Sequence, residues 1–381
     1  MAGPKVFVPF KHDARTLPGS LRRIATPGGV HNATPSRILF GAGTLSRLPD
    51  LLRDLGVKKP LIITTPGRKG LGQRVADLVG PDCAGILPEA ISQVPIESAI
   101  KGREAFRRSG ADALISAGGG AAVGLGKGIG LELGVPIVAI PTTYSGSEMT
   151  GFCGITIDGV KRMHTSLNML ATCVIYDPEL SVSLPLEVSA ASAFNALAHC
   201  VDVLYVPTVS PIILPSAVEG AKFIFDALPR VAKNPADLDA RADLLYGGML
   251  AGAALTGGFA FQHGLAHTLG GSFGVPHGHS HALVLPYVTA YNQRMAPAAL
   301  APLVKALGMP DLGAGLFDLL AKSGLPQSLR AVGLDESIID RAAKITVETD
   351  NGLNPVPITY DAVAAILRDA LDGKRPSLGG A

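Results

Sequence analysis

Histidines gather in one stretch of this 381-residue sequence. Six of the nine lie between His199 and His281, and two pairs, Asn195 with His199 and His263 with His267, are spaced four residues apart. In a helix, that spacing places two side chains on one face. Imidazole is the usual metal ligand and proton-transfer group near neutral pH. A single histidine is as often a hydrogen-bonded core residue, but this clustering favours a reaction site.

The elements that must position these histidines are predicted to be helices. After Leu184-Pro185 the strand signals end and helical periodicity replaces them. The predicted helices cover residues 188–205, 215–228, 236–256, 261–269, 282–293, 298–307, 314–323, 338–346 and 360–372. We expect His277 and the GHSH run that follows it to lie in a loop, because Gly and Pro surround them.

The first half of the chain has a different pattern, in which short apolar segments alternate with helical ones. The predicted strands are 37–40, 61–65, 113–117, 137–140 and 173–177, and the predicted helices are 44–55, 73–78, 97–109 and 123–133. This alternation predicts a mostly parallel, Rossmann-like sheet with helices on both faces. Residues 151–164 are the exception and are predicted to form a hairpin around an Asp158-Gly159 turn.

The change of pattern predicts an N-terminal arm over residues 1–35, an α/β nucleotide-binding domain over 36–183 and an all-α catalytic domain over 184–381. Because nucleotide-type loops lie on one domain and the histidines on the other, we expect the reaction site in a cleft between them.

Glycine-rich turns identify the predicted nucleotide site. Gly118, Gly119 and Gly120 follow a buried-type strand and open a helix, where N–H groups and the helix dipole favour an anion. We predict pyrophosphate binding there; a tight turn is the alternative. Two further near-matches are weaker. The turn Gly41–Ser46 is interpreted as a plain strand–helix connection, and Gly126-Lys127 lacks the residues that complete a P-loop.

Composition excludes several functional classes. The formal net charge is +2, without a basic run, so we expect no nucleic-acid partner. The N-terminus lacks an apolar signal core and no apolar run is long enough to span a bilayer, so we expect no membrane association. The four cysteines lack metal or disulfide spacing, which favours a cytoplasmic location.

Taken in order, these motifs resemble the iron-containing alcohol dehydrogenase superfamily, and within it the maleylacetate reductase branch. The motifs are GGG before a helix, the Pro141–Glu148 loop PTTYSGSE, Asp177–Leu180, and Asn195, His199, His263, His267 and Pro276-His277-Gly278. The likeness extends from about Arg37 to at least Asn292. It implies an NAD(P)-binding α/β domain, an all-α domain of the dehydroquinate synthase-like type, and commonly a homodimer.

The resemblance also assigns residues to roles. The cofactor residues implied are Gly118, Gly119, Gly120, Ala121, Thr142, Thr143, Ser147, Lys161 and Leu180. The catalytic residues implied are His267, His263, His199, His277 and Asn195, with His267 close to the nicotinamide. Ala121 departs from the family, which usually has Ser there and so offers one more phosphate hydroxyl.

A second departure bears on metal binding. In metal-dependent relatives an Asp and three His bind iron or zinc, and the matching positions here are Asn195, His199, His263 and His277. Asn offers a neutral carbonyl oxygen in place of a charged carboxylate, so affinity for iron should fall. Three neutral histidines could still hold zinc. We expect that no metal is required.

The reaction that the resemblance implies is reduction of maleylacetate to 3-oxoadipate by NADH, NADPH or both. The substrate is a dicarboxylate enone, for which Lys161 and Arg162 are cationic candidates. No carboxylate follows the second strand to repel a 2′-phosphate, whereas Arg68 or Lys69 could attract one. We therefore expect dual cofactor use.

Three alternatives remain open at this point. The HGLAH and PHGHSH forms also suit a metal-dependent alcohol dehydrogenase of the same superfamily. A lyase resembling 3-dehydroquinate synthase would require a charged metal site and several phosphate-binding Lys or Arg residues. A non-catalytic nucleotide-binding protein would leave the histidines without an explanation.

Overall fold

The computed structural model describes residues 32, 34–207 and 209–379. Within them the chain divides into two compact units, with the break between Leu184 and Pro185. Of the predicted N-terminal arm, residues 1–31 and 33 lie outside the described residues. Among the described residues, no helix combines the length and apolarity needed to cross a bilayer.

The first unit contains a six-stranded sheet whose strand pairs are all parallel, in the order β1-β8-β5-β4-β2-β3. Its strands are β1 Arg37–Phe40, β2 Pro60–Ile63, β3 Gly85–Leu87, β4 Ala113–Gly118, β5 Ile137–Pro141 and β8 Cys173–Tyr176. The helices of this unit are α1 Leu48–Asp54, α2 Lys69–Val79, α3 Ile96–Ser109 and α4 Gly120–Leu133. The parallel sheet predicted from the sequence is confirmed; the three-residue strand β3 was not foreseen.

The inner strands form a sheet covered on both faces. Every residue of β2, β4, β5 and β8 is buried, and two separate apolar clusters include alternate residues of these strands. Ile115 belongs to one cluster and Leu114 to the other, as expected when successive side chains point to opposite faces. Fully apolar strands are typical of such doubly covered sheets.

The predicted hairpin is confirmed as β6 Phe152–Ile157 and β7 Val160–Thr165, which pair antiparallel. Asp158 and Gly159 both have positive φ, 52° and 74°. Two successive positive φ values are what a two-residue turn needs to match the twist of its strands, and Asp-Gly is a favoured sequence for it.

The second unit is helical throughout its regular elements. They are α5 Leu186–Val203, α6 Ile213–Lys233, α7 Leu238–Leu255, α8 Phe261–Phe273, α9 His277–Met295, α10 Pro297–Leu307, α11 Leu312–Lys322, α12 Ile338–Glu348 and α13 Tyr360–Asp372. Helices α5 and α9 are largely buried, which matches their near-continuous apolar sequences. The all-helical prediction is thus confirmed.

The predicted loop over His277 and the GHSH run is wrong, because these residues form the first turn of α9. Pro276 is the N-cap, with an extended ψ of 137°, and the helix begins directly after it. Gly278 has a packing role: a Cβ there would lie 2.8 Å from the Cβ and the carbonyl oxygen of Ala191 on α5. The glycine permits close helix packing and does not mark a loop.

Candidate active site

Five histidines from three helices come together in the second unit. Their ring centroids are 5.0 Å apart for His199 and His263, 4.6 Å for His263 and His281, 4.6 Å for His277 and His281, and 5.7 Å for His267 and His277. His199, His263 and His281 are buried, His267 is half-buried and His277 is exposed. The cluster therefore runs from the interior of the unit to its surface.

The remaining histidine of the stretch lies apart from this cluster. The Nε2 of His279 lies 3.1 Å from the carboxylate of Glu187. His281, to which the sequence analysis gave no role, takes a central place instead, because it lies one turn after His277 on α9. That four-residue spacing was a signal already present in the sequence.

Several polar atoms in the buried part of the cluster have no hydrogen-bond partner among the described residues. They are the Oδ1 of Asn195, the Nδ1 of His199, the Nε2 of His263 and the Nε2 of His281. Burying an unpaired polar group costs on the order of 1–3 kcal/mol. Four such atoms around one group of rings require water, an ion or a polar ligand to complete their hydrogen bonds.

A buried carboxylate that the sequence analysis missed lies beneath the cluster. The Oδ2 of Asp202 lies 2.9 Å from the Nδ1 of His263. Asp202 also accepts the backbone N–H of Ala260 at 2.6 Å and of Gln262 at 3.3 Å, and the hydroxyl of Tyr205. It lies three residues after His199 on α5, where an acidic residue in the apolar second half of the helix was the available signal.

Burial controls the charge of the inner histidines. It lowers the pKa of His199 and of His281 well below 6.5, and the neighbouring histidines lower both values further. Desolvation disfavours the charged form of a base, so both rings are neutral at neutral pH. Neutral imidazole is the form that coordinates metals and accepts protons.

The cluster passes a chemical test for a divalent metal. One ligand atom each from His267, His277 and His281 lies within 4.8 Å of the other two. Three imidazoles are a known zinc-binding set, and a zinc ion held by them would act as a Lewis acid that polarises a bound carbonyl. The group differs from the expected one: it shares His277, whereas His267 and His281 replace His199 and His263.

The turn that the sequence predicts to bind pyrophosphate connects a strand and a helix of the first unit. Strand β4 ends at Gly118, whose φ is 148°, Gly119 is the N-cap and α4 begins at Gly120. A Cβ on Gly119 would lie 2.8 Å from the Cγ2 of Thr143. The absence of a side chain on Gly119 therefore lets Thr143 lie directly against the start of α4.

The hydroxyl-rich loop begins beside that turn. Gly118 pairs with Pro141 across β4 and β5, and the Thr142 N–H donates to the Gly118 carbonyl at 3.0 Å. Thr142 is buried, whereas Thr143 and Ser147 are half-buried. Both loops thus lie at the carboxyl edge of neighbouring strands, where open α/β sheets bind ligands.

Lys127 holds the far end of the hydroxyl-rich loop. Its Nζ donates to the Thr150 hydroxyl at 2.9 Å, to the Phe152 carbonyl at 3.0 Å and to the Ser147 carbonyl. Burial lowers its pKa to about 8. A P-loop lysine would bind a nucleotide phosphate, whereas Lys127 donates its hydrogen bonds to oxygen atoms of the protein. These contacts agree with the rejection of a P-loop.

The other predicted cofactor residues are more dispersed within this unit. Ala121 lies in the first turn of α4, and Leu180 is buried in a 3-10 helix after β8. Lys161 lies on β7, exposed, opposite Thr156, and Arg162 is exposed beside it. The predicted contacts of these four residues with cofactor or substrate therefore remain predictions.

The turn Gly41–Ser46 uses its N–H groups internally. Asp177, directly after β8, accepts the N–H of Gly43 at 3.1 Å and of Leu45 at 3.0 Å. A carboxylate of the protein therefore occupies the place that a phosphate would need. The interpretation of this segment as a plain strand–helix connection is confirmed.

The chain thus combines a parallel sheet that has a glycine turn at its carboxyl edge with a helical unit that carries buried histidines. Two family patterns match the chain: iron-containing alcohol dehydrogenase over residues 35–178, and the C-terminal part of the Fe-containing alcohol dehydrogenase family over 189–371. The chain belongs to the iron-containing alcohol dehydrogenase family and is an oxidoreductase.

Within this family the chain is similar to maleylacetate reductases. It is 43% identical to maleylacetate reductase of Burkholderia cepacia over 342 residues, covering 90% of this chain and 97% of the relative. The crystal structure of maleylacetate reductase from Agrobacterium tumefaciens superposes with a TM-score of 0.87 at 40% identity, covering 91% of this chain and 99% of the other. A putative alcohol dehydrogenase from Ralstonia eutropha JMP134 gives 0.88 at 43% identity, covering 92% and 99%.

Proposed function

We propose that this oxidoreductase reduces maleylacetate to 3-oxoadipate with NADH or NADPH, as a step in the degradation of aromatic compounds. The observation that carries the proposal is Asn195 beside a cluster of five histidines with unpartnered buried atoms. This site offers proton donors and acceptors without a metal-binding carboxylate. Similarity to maleylacetate reductases along about 90% of the chain supports the substrate.

The reaction adds a hydride and a proton across a carbon–carbon double bond conjugated to a ketone. A nicotinamide bound here would supply the hydride to the alkene carbon farther from the ketone, and the alkene electron pair would then move to the ketone oxygen to give an enolate. Hydrogen-bond donors directed at that oxygen stabilise it. A proton is then delivered to the carbon next to the ketone, which restores the carbonyl group.

Histidines of the cluster supply these donors and the proton. We assign the principal roles, stabilising the enolate oxygen and delivering the proton, to His267 and His263. His199, His277 and Asn195 are the other polar residues of the site. The cofactor binds along Gly118–Gly120 and the loop from Thr142 to Ser147, with Lys161 and Leu180 as further contacts. Lys161 and Arg162 are the cationic candidates for the two substrate carboxylates.

A metal is not required for this chemistry. Asn195 withholds the anionic oxygen that would strengthen binding of iron. If zinc binds, the arrangement favours His267, His277 and His281 as its ligands, with Asn195, His199 and His263 nearby. The alternative function, metal-dependent oxidation of alcohols or reduction of aldehydes, rests on this three-histidine group.

We propose that the enzyme accepts both NADH and NADPH as the hydride donor. Arg68 and Lys69 follow β2 at the carboxyl edge of the sheet, and the Nη1 of Arg68 lies 3.1 Å from the Ser183 hydroxyl. Cations at this position favour the 2′-phosphate of NADPH. The ratio of kcat/KM for NADPH and NADH, measured in wild type and in Arg68→Ala, tests this.

The proposed assembly is a homodimer in the cytoplasm. Among the described strands, β1 pairs only with β8 and forms one edge of the sheet, with Ile38 and Phe40 exposed. The cysteines are free thiols, which suits a reducing compartment. A mass in solution of twice the 39.1 kDa chain, measured by light scattering, is expected.

The deciding experiment follows NADH and NADPH oxidation with maleylacetate in metal-free buffer that contains a chelator. Rapid turnover is expected. Turnover that returns only with added zinc or iron would overturn the metal-free mechanism while retaining the substrate. Activity on alcohols or aldehydes alone, with none on maleylacetate, would assign the chain to the metal-dependent branch.

A further inference from the structure

The second unit buries a carboxylate whose contacts exceed what helix capping needs. Asp202 is fully buried, and its two oxygens accept from two backbone N–H groups at the start of α8 and from Tyr205. The same Oδ2 also faces the Nδ1 of His263 at 2.9 Å. A cap alone would not require the fourth contact.

This contact determines which nitrogen of His263 carries a proton. A carboxylate only accepts hydrogen bonds, so the Nδ1 of His263 must be the donor. The Nε2 then carries a lone pair in the neutral ring and a second proton in the imidazolium. That atom is buried and has no hydrogen-bond partner among the described residues. The described residues therefore leave the hydrogen-bonding capacity of this atom unused.

His281 has a parallel arrangement with a neutral partner. Its Nδ1 lies 3.1 Å from the Oε1 of Gln262, whose Nε2 donates to the His281 carbonyl at 3.2 Å. The second bond orients the amide, so that its oxygen faces the ring. His281 thus also presents a buried, unpartnered Nε2. The difference is charge, because only His263 has an anion behind it.

We propose that Asp202 is a positioning residue that makes His263 the proton donor to the enolate. The idea rests on the proposed function. Held through its Nδ1–H by Asp202, His263 transfers a proton from its Nε2 to the enolate carbon next to the ketone. The proton on Nδ1 stays bound to Asp202, and water returns a proton to Nε2. Asp202 orients the ring and takes no proton itself.

Steady-state kinetics in chelator-containing buffer test the proposal. Asp202→Asn is expected to lower kcat for maleylacetate by about 100-fold or more while leaving the KM for NADH unchanged. Asp202→Glu, which retains the carboxylate, should recover a large part of kcat. A solvent deuterium isotope effect on kcat should increase in Asp202→Asn, because proton delivery becomes slower.

A further variant separates this role from helix capping. Asp311→Asn is the matched control: Asp311 caps α11 through the Ala314 N–H at 2.9 Å and has no histidine contact among the described residues. It should retain kcat even if the Tm falls. A loss of kcat in Asp202→Asn no larger than in Asp311→Asn would overturn the proposal.

Nitrogen NMR of isotopically labelled histidine tests the geometry without substrate. The spectrum of His263, assigned by comparison with His263→Gln, should show a protonated Nδ1. A neutral ring protonated only at Nε2 would overturn the proposal, whatever the activity. Conversely, wild-type enzyme inactive on maleylacetate, but with Nδ1 protonated, would refute the proposed substrate and leave the Asp202–His263 pair established.

Discussion

Asn195 places a neutral amide next to the histidine cluster. It is buried on α5 one turn before His199, and its Oδ1 lacks a partner among the described residues. A carboxylate at this place would add charge and a hard oxygen beside the histidines. We therefore expect the amide to weaken metal binding and to favour a polar organic substrate.

Asn195→Asp is expected to convert the cluster into a tighter metal site. Zinc affinity should increase by about tenfold or more, because an anionic ligand is added to neutral imidazoles. Metal analysis after equilibration with zinc and dialysis measures this. Asn195→Ala, which removes the oxygen, is the control and should retain no more zinc than wild type. Equal zinc retention by Asn195→Asp and wild type would contradict the assignment.

His267 is the histidine expected to act closest to the reacting atoms. It is half-buried, between the inner rings and exposed His277. His267→Ala should lower kcat by about 10²–10⁴-fold and leave the KM for NADH unchanged, as loss of a general acid or transition-state donor does. His279→Ala is the control, because His279 faces Glu187 and should retain full activity. An unchanged kcat in His267→Ala would remove it from the mechanism.

At the scale of elements, both candidate sites depend on glycines that permit close approach. Gly119 allows the helix start of α4 to lie against Thr143, and Gly278 allows the first turn of α9 to lie against α5. In both cases the contact positions functional atoms: N–H groups in the first unit, and His277 and His281 in the second.

Gly119→Ala is expected to weaken cofactor binding for a steric reason. The added methyl would lie 2.8 Å from the Thr143 Cγ2, so the two loops must separate. The φ of Gly119 is −80°, so backbone strain does not contribute. The KM for NADH should increase, with a smaller effect on kcat at saturating cofactor. Combining Gly119→Ala with Thr143→Ser, which removes that methyl and keeps the hydroxyl, should restore much of the affinity; no recovery would show that the clash is not the cause.

The sequence predicted those secondary-structure elements that a short stretch of neighbouring residues specifies by itself. The apolar segment 113–117 gave β4, and the Asp158-Gly159 turn gave the hairpin. The start of α9 was not predictable, because Gly278 reflects packing against Ala191, a residue distant in the chain. Asp202 was missed for a similar reason: its partners on α8 follow it by about sixty residues, and only the fold brings them together.

At the scale of the whole molecule, the chain distributes its chemistry between two units. The first provides the glycine turn and hydroxyl-rich loop, and the second provides all five clustered histidines. Sequence patterns of one family cover nearly all of both. The second unit also carries buried neutral bases, whose effect extends to the stability of the fold.

Stability is expected to fall as the pH drops below about 6.5, the ordinary pKa of histidine. Burial lowers the folded-state pKa of His199 and His281 well below that value, so between the two values the unfolded chain binds more protons. The free energy of unfolding therefore increases with pH in this window. The contribution is fully present above the unfolded pKa and is lost as the pH falls toward the folded pKa. Each ring contributes a slope on the order of 1 kcal/mol per pH unit.

Urea unfolding between about pH 7.5 and pH 5.5 measures this pH dependence of the free energy of unfolding. His281→Gln, which cannot titrate, should flatten the slope even if it lowers stability at the upper pH; parallel profiles for wild type and variant would show that His281 is not a buried neutral base.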